Sequence, residues 1–165
     1  MDRIALFLHV LGAVGLFAAL ALQVAGAAAV RGSATLERLR ERMAWTDWAG
    51  PLLRVSAALV IVTGVFLLAA VYRWDAPWAW TGLAAGVVAV ALGSATAGPL
   101  PPPLARLAGP RGPIALPAAA CGLLVGVLFL MTVQPGVATG LAVVLAAAAA
   151  GFLAAWLLGG ARTPA

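Results

Sequence analysis

The sequence predicts an all-α integral membrane protein, a bundle of about five transmembrane helices with one cytoplasmic amphipathic helix. Of its 165 residues, 64% are hydrophobic and 9% are charged. Soluble domains average about 45–50% apolar and about 25% charged residues, so this chain cannot cover a globule with polar surface. We therefore expect lipid to be the partner of most of its exterior, and residues 1–165 to form a single transmembrane domain.

Five apolar segments are long enough to cross a bilayer, which takes about 20 helical residues. They are residues 4–30, 52–72, 78–98, 114–133 and 137–158. The first is longer than the apolar core of a signal peptide, about 7–15 residues, so we expect a retained helix. The last two segments are separated by Gln134, Pro135 and Gly136. Proline followed by glycine stops a helix and permits a turn, which predicts a tight hairpin.

Arginine placement predicts the orientation of the bundle. All ten basic residues are arginines, and five spans divide them eight to two. The larger group is Arg31, Arg38, Arg40, Arg42, Arg54, Arg106, Arg111 and Arg162, and the smaller is Arg3 and Arg73. The positive-inside rule therefore places the N-terminus outside and the C-terminus in the cytoplasm. Arginine in place of lysine, with much alanine and glycine, is typical of GC-rich bacteria, which predicts a bacterial inner membrane.

The net charge of +5 does not indicate a nucleic-acid partner. The arginines flank apolar segments, where anionic lipid headgroups are the expected partner. In residues 34–48, Leu36, Leu39 and Met43 recur at helical spacing, which predicts an amphipathic helix on the cytoplasmic membrane surface.

Two GxxxG pairs indicate close helix packing: Gly82 with Gly86, and Gly122 with Gly126. Small residues at this spacing let helix backbones approach each other in lipid. The pattern fits packing within one chain as well as it fits a homo-oligomer or a larger membrane complex.

Two polar residues lie within the first predicted span. His9 and Gln23 are fourteen residues apart, which brings them within about 40° of each other on a helix. Because polar groups are costly in hydrocarbon, this face is expected to contact other helices. We take both residues as candidate cofactor-binding residues.

His9 is the single histidine of the chain. Its imidazole is a candidate ligand for haem iron or another metal, or a proton carrier. The alternative is a structural hydrogen bond to a neighbouring helix.

The predicted topology brings further polar and aromatic groups to the level of His9. These candidates for an outward-facing pocket are Asp75, Trp78, Thr132 and Gln134. Tryptophan is also an ordinary interfacial anchor, which is the simpler interpretation of Trp78.

Several reaction classes are excluded by missing residues. The sequence has no P-loop, HExxH, CxxC or GxSxG motif, and its single cysteine is Cys121. One histidine without other strong ligands does not make a catalytic zinc site, which takes three protein ligands. We predict no catalytic residue.

The stretch from Leu6 to Ala13 resembles the first helix of small bacterial membrane proteins allied to the copper-resistance D type. The chain also resembles an uncharacterised family of small integral membrane proteins. Thr63-Gly64 and residues 129–136 (FLMTVQPG) fit both resemblances. In the membrane-bound protoporphyrinogen oxidase branch, a first-helix histidine is implicated in haem binding, a role that would fall on His9. That branch also relies on a lysine, which this chain lacks.

Three functions therefore stay open. The first is a non-catalytic membrane protein, either an accessory or assembly subunit or a binder of a hydrophobic ligand. The second is a haem- or quinone-linked redox protein that uses His9, and the third is a transporter or channel component.

Overall fold

The computed structural model describes residues 2–31, 46–72, 74–97, 102, 106 and 112–158. These residues form five α-helices and one short 3-10 turn. The helices are α1 (Asp2–Arg31), α2 (Ala49–Ala70), α3 (Pro77–Thr96), α4 (Gly112–Val133) and α5 (Val137–Leu158), and the turn is Thr46–Trp48. Each helix boundary lies within three residues of the segment that the sequence predicts.

All five helices are long and apolar enough to cross a membrane. Large side chains such as Phe7, Val62 and Leu145 are more than half exposed on the outside of the bundle. Exposed apolar side chains are unfavourable in water. In lipid they carry no such cost, because lipid tails are as apolar as the protein interior. The prediction of an all-α membrane bundle is confirmed.

The turns at one end of the bundle follow local sequence signals. Pro77 is the first residue of α3, where its missing N–H would have no partner in any case. At the end of α4, Gln134 adopts a left-handed conformation with φ of 52°, and its backbone N–H donates to the Leu130 carbonyl over 2.9 Å. Pro135 follows this C-cap, and α5 begins two residues later. The predicted hairpin is therefore present.

Helix α4 is the central element. In the membrane-spanning part of α4, 56% is buried inside the bundle, compared with 11% in the membrane-spanning part of α5. It packs against α1, α3 and α5, while α1 and α2 form a second closely packed pair. The main core contains Leu16, Leu20, Leu53 and Leu130, each 2% exposed or less.

The α4–α5 contact depends on glycine. A Cβ atom added to Gly122 would collide with the backbone carbonyl of Ala147, and one on Gly151 would collide with that of Ala118. A Cβ on Gly126 would lie 2.8 Å from the Cα of Val144. The Gly122–Gly126 pair therefore packs within the chain.

The other GxxxG pair behaves differently. A Cβ on Gly82 would make ordinary contacts with Val127 and Leu130 at 3.8 and 3.9 Å. A Cβ on Gly86 would have nothing within 4 Å. The Gly82–Gly86 pair of α3 therefore does not close a helix contact, and Gly86 borders open space.

The predicted amphipathic helix at 34–48 lies outside the described residues, except for the turn Thr46–Trp48. Most of the arginines that predict the orientation are likewise outside them.

Gly122→Ala is predicted to destabilise the bundle by about 2 kcal/mol, since the new methyl group meets backbone that cannot move aside. Gly86→Ala makes the same chemical change where space is open, so it should not destabilise the bundle and should raise the free energy of unfolding by up to about 1 kcal/mol. Reversible denaturation in mixed micelles would measure both. Equal effects would show that α4 and α5 do not approach as closely as described.

Candidate functional site

His9 is buried in the bundle, with 6% of its side chain exposed. Helix α1 presents the ring to α2, where Nδ1 lies 3.1 Å from the Val60 carbonyl oxygen and 3.1 Å from Thr63 Oγ1. The Thr63 hydroxyl donates its own proton to the Leu59 carbonyl, one turn back along α2. The histidine is therefore held by a hydrogen-bonding pattern that joins α1 to α2.

The contacts of Nδ1 determine the tautomer of the ring. A carbonyl oxygen can only accept, so the Nδ1 that faces Val60 must carry a proton. The Thr63 oxygen accepts from the same N–H, since its proton is directed to Leu59. The other nitrogen, Nε2, has no hydrogen-bond partner among the described residues.

Gly64 lies against the ring on the α2 side. A Cβ atom at this position would come within 3.0 Å of His9 Cε1 and 3.4 Å of Nδ1. The imidazole thus occupies space that a larger residue in place of Gly64 would take.

A cavity of about 210 Å³ lies beside His9, among α1, α2, α3 and α4. Apart from His9, Tyr72 and Trp78, its lining side chains are apolar. Glycine and alanine form much of the wall: Ala13, Ala57, Gly64, Ala79, Gly82 and Gly86. The lining residues Leu6, Val87 and Leu128 are also about half exposed, so part of the cavity wall belongs to the surface of the bundle.

Two aromatic rings lie at the end of the cavity near the turn between α2 and α3. Tyr72 and Trp78 both line it, and their rings meet edge to face with centroids 5.0 Å apart. They lie in the turn between α2 and α3 and in the first turn of α3, where interfacial aromatics are common.

The other predicted pocket residues lie elsewhere. Asp75 and Gln134 are exposed, and neither is among the residues that line the cavity. Thr132 is exposed as well, and its hydroxyl donates to carbonyls of its own helix, those of Leu128 and Phe129. Of the predicted outer group, the structure brings Trp78 together with His9.

Gln23 forms a second buried polar site, about 21 Å along α1 from His9. Its side chain is 8% exposed, and Oε1 lies 2.9 Å from Thr96 Oγ1 on α3. Its Nε2 is buried without a hydrogen-bond partner among the described residues. His9 and Gln23 thus both face other helices, but Gln23 does not line the cavity.

Among the described residues, the side-chain oxygen and nitrogen of Gln23 do not both have a hydrogen-bond partner. Thr96 Oγ1 also lies 3.0 Å from the Leu92 carbonyl, an alternative acceptor for its single proton. Whichever way the amide is turned, one of its two atoms has no partner in the described part of the chain.

The described residues contain no group of three or more His, Cys, Asp or Glu side chains that could hold a metal ion. His9 therefore belongs to no cluster of three such ligands in the described part of the chain. Cys121 is half-buried and packs against the main core.

Sequence reasoning missed three contributors to these sites. Thr96, Gly64 and Gly86 acquire these roles from contacts between helices. The GxxxG spacing indicates helix packing for Gly86, and Thr63-Gly64 carries part of the family resemblance, but neither pattern predicts a position beside His9 or a cavity. Thr96 and Gln23, for example, are 73 residues apart in sequence.

Comparisons with protein-family models, with curated proteins and with solved structures found no match to this chain. The resemblance to the copper-resistance D type therefore stays a prediction.

Thr96→Val is predicted to lower the free energy of unfolding by about 1 kcal/mol, because it leaves both polar atoms of the Gln23 amide buried without a partner. Adding Gln23→Leu to this variant removes the amide itself and should restore most of the loss. Reversible denaturation of the single and double variants would test this. A double variant no more stable than Thr96→Val would show that the pair is not buried as described.

Proposed function

We propose that this protein is a non-catalytic, multi-pass membrane protein that binds a hydrophobic molecule in the cavity among α1, α2, α3 and α4. The observation that carries the proposal is an apolar cavity within membrane-spanning helices beside a buried imidazole. One nitrogen of this imidazole has no hydrogen-bond partner among the described residues. Ligand sites in proteins commonly combine an apolar wall with a few placed polar groups.

The position of the cavity supports entry from the bilayer. Leu6, Val87 and Leu128 belong both to the cavity wall and to the lipid-facing surface. A hydrophobic molecule dissolved in the membrane would therefore reach His9 without crossing water.

The volume limits what can bind. Pockets for drug-sized ligands measure about 300–1,000 Å³, and this cavity measures about 210 Å³. It would hold one or two rings, or the end of a longer chain whose remainder lies in the lipid.

Haem is the second candidate ligand, favoured by the lone pair of His9 Nε2. The lone pair of Nε2 could ligate haem iron. A haem is the size of a large drug, however, and is too large for a cavity of about 210 Å³. No arginine or lysine lies among the described lining residues to pair with its propionates. The geometry therefore favours a smaller neutral ligand, and the same preparation tests both.

Gly86→Leu is predicted to abolish binding, because its side chain would extend into the cavity where Gly86 leaves open space. Ala84→Leu is the matched control, since Ala84 is exposed on the same helix and does not line the cavity. Protein purified in mild detergent would be extracted with organic solvent, and the extract analysed by mass spectrometry.

We expect one apolar compound to be enriched in wild type and Ala84→Leu, and to be reduced at least tenfold, by estimate, in Gly86→Leu. Equal recovery from all three proteins would overturn the proposal. A visible Soret band that His9→Ala removes would replace it with the haem-binding function.

We further propose that the protein lies in a bacterial inner membrane with its N-terminus outside. The eight-to-two arginine distribution supports this orientation. A reporter that fluoresces only in the cytoplasm should be active when fused to the C-terminus. One that works only in the periplasm should be active at the N-terminus, and the opposite pattern would invert the topology.

A further inference from the structure

Resting on the proposed function, the geometry of His9 also points to the class of molecule that the cavity binds. We infer that the ligand is an apolar alcohol or phenol whose hydroxyl group donates a hydrogen bond to His9 Nε2. The inference begins with the fixed role of Nδ1 as a donor to Val60 and Thr63.

The protonation of Nδ1 leaves Nε2 either as a lone pair in the neutral ring or as a second N–H in the imidazolium ion. The ion would be a charge buried among apolar side chains, and no aspartate or glutamate lies among the described residues of the cavity wall. Burial of an unpaired charge is far more costly than burial of a neutral ring. The ring is therefore neutral, and Nε2 is a hydrogen-bond acceptor.

His9 lines the cavity and its Nδ1 faces α2, so Nε2 is the ring nitrogen that a bound ligand would reach. An acceptor at this position selects for a donor. A hydroxyl group satisfies both itself and Nε2, so neither is left without a partner. A carbonyl or ether oxygen would instead face the lone pair of Nε2, with two acceptors opposed and neither satisfied. Sites built around a hydrogen bond discriminate strongly against analogues that lack it.

The position of His9 argues against a charged headgroup beside the imidazole. It lies seven residues into α1, about 10 Å from the start of the helix. No lysine or arginine among the described lining residues could neutralise a phosphate at that depth. The polar group of the ligand is therefore small and uncharged, which agrees with a hydroxyl.

The test uses 1-naphthol and 1-methoxynaphthalene, which share a two-ring skeleton. The first donates a hydrogen bond and the second cannot. Because the chain has a single histidine, a preparation labelled with ¹⁵N-histidine reports on His9 without further assignment. Full-length protein in lipid nanodiscs would be titrated with each compound.

Without a probe, the spectrum should show a protonated Nδ1 and an unprotonated Nε2. Naphthol should shift the Nε2 resonance. It should also bind about fivefold more tightly than the ether, which is the gain in affinity expected from one neutral hydrogen bond. His9→Leu should remove this preference. Comparing the naphthol-to-ether ratio of the variant with that of the wild type also corrects for the different partition of the two probes into lipid. If that variant does not fold, the wild-type resonances alone decide the question.

An unprotonated Nδ1, or a naphthol-to-ether ratio that is the same in wild type and His9→Leu, would overturn the inference. If both probes bind equally, and Gly86→Leu but not Ala84→Leu abolishes their binding, the cavity binds apolar molecules without the inferred selectivity. If neither probe binds, or Gly86→Leu has no effect, the proposed function fails as well.

Discussion

The architecture of this protein depends on how closely helix backbones can approach each other in lipid. Apolar side chains gain nothing by leaving lipid tails for a protein interior, so dispersion contacts and a few hydrogen bonds must hold the bundle together. Gly122, Gly126 and Gly151 supply those contacts between α4 and α5, where an added Cβ atom would meet backbone. Because α4 is held in this way on one side and packs on α1 and α3 on the others, it becomes the centre of the bundle.

Other small residues have the opposite consequence on the far side of α4. Where α4 faces α5, glycine removes the side chain and the neighbouring backbone fills the space. Where α1, α2, α3 and α4 meet, glycine and alanine remove side chains and no backbone moves in, so a cavity remains. Gly122 and Gly86 show the contrast, since a Cβ collides at the first and meets nothing within 4 Å at the second.

The two buried polar sites of α1 also differ in what they leave unsatisfied. At Gln23 the amide atom without a partner among the described residues is buried and does not line the cavity. At His9 the partners of Nδ1 hold the ring, and its side chain lines open space. A ligand can donate a hydrogen bond to an acceptor that lines a cavity. A polar atom that is buried without a partner and out of reach of a ligand only lowers the stability of the fold. This difference makes His9, and not Gln23, the centre of the proposed site.

The sequence by itself determined the fold class and the helix boundaries to within three residues, because apolar length and proline–glycine turns are local properties. It also showed that His9 and Gln23 share a face, because helical periodicity is local too. The tertiary structure decided which GxxxG pair closes a helix contact and which one borders a cavity, because that depends on what lies opposite. It also decided that Trp78 lines the cavity with His9 while Asp75, Thr132 and Gln134 do not. Among the described residues, the hydrogen bonds between helices leave Nε2, and not Nδ1, of His9 without a partner. Those outcomes follow from contacts between helices that are distant in sequence, and no local pattern specifies them.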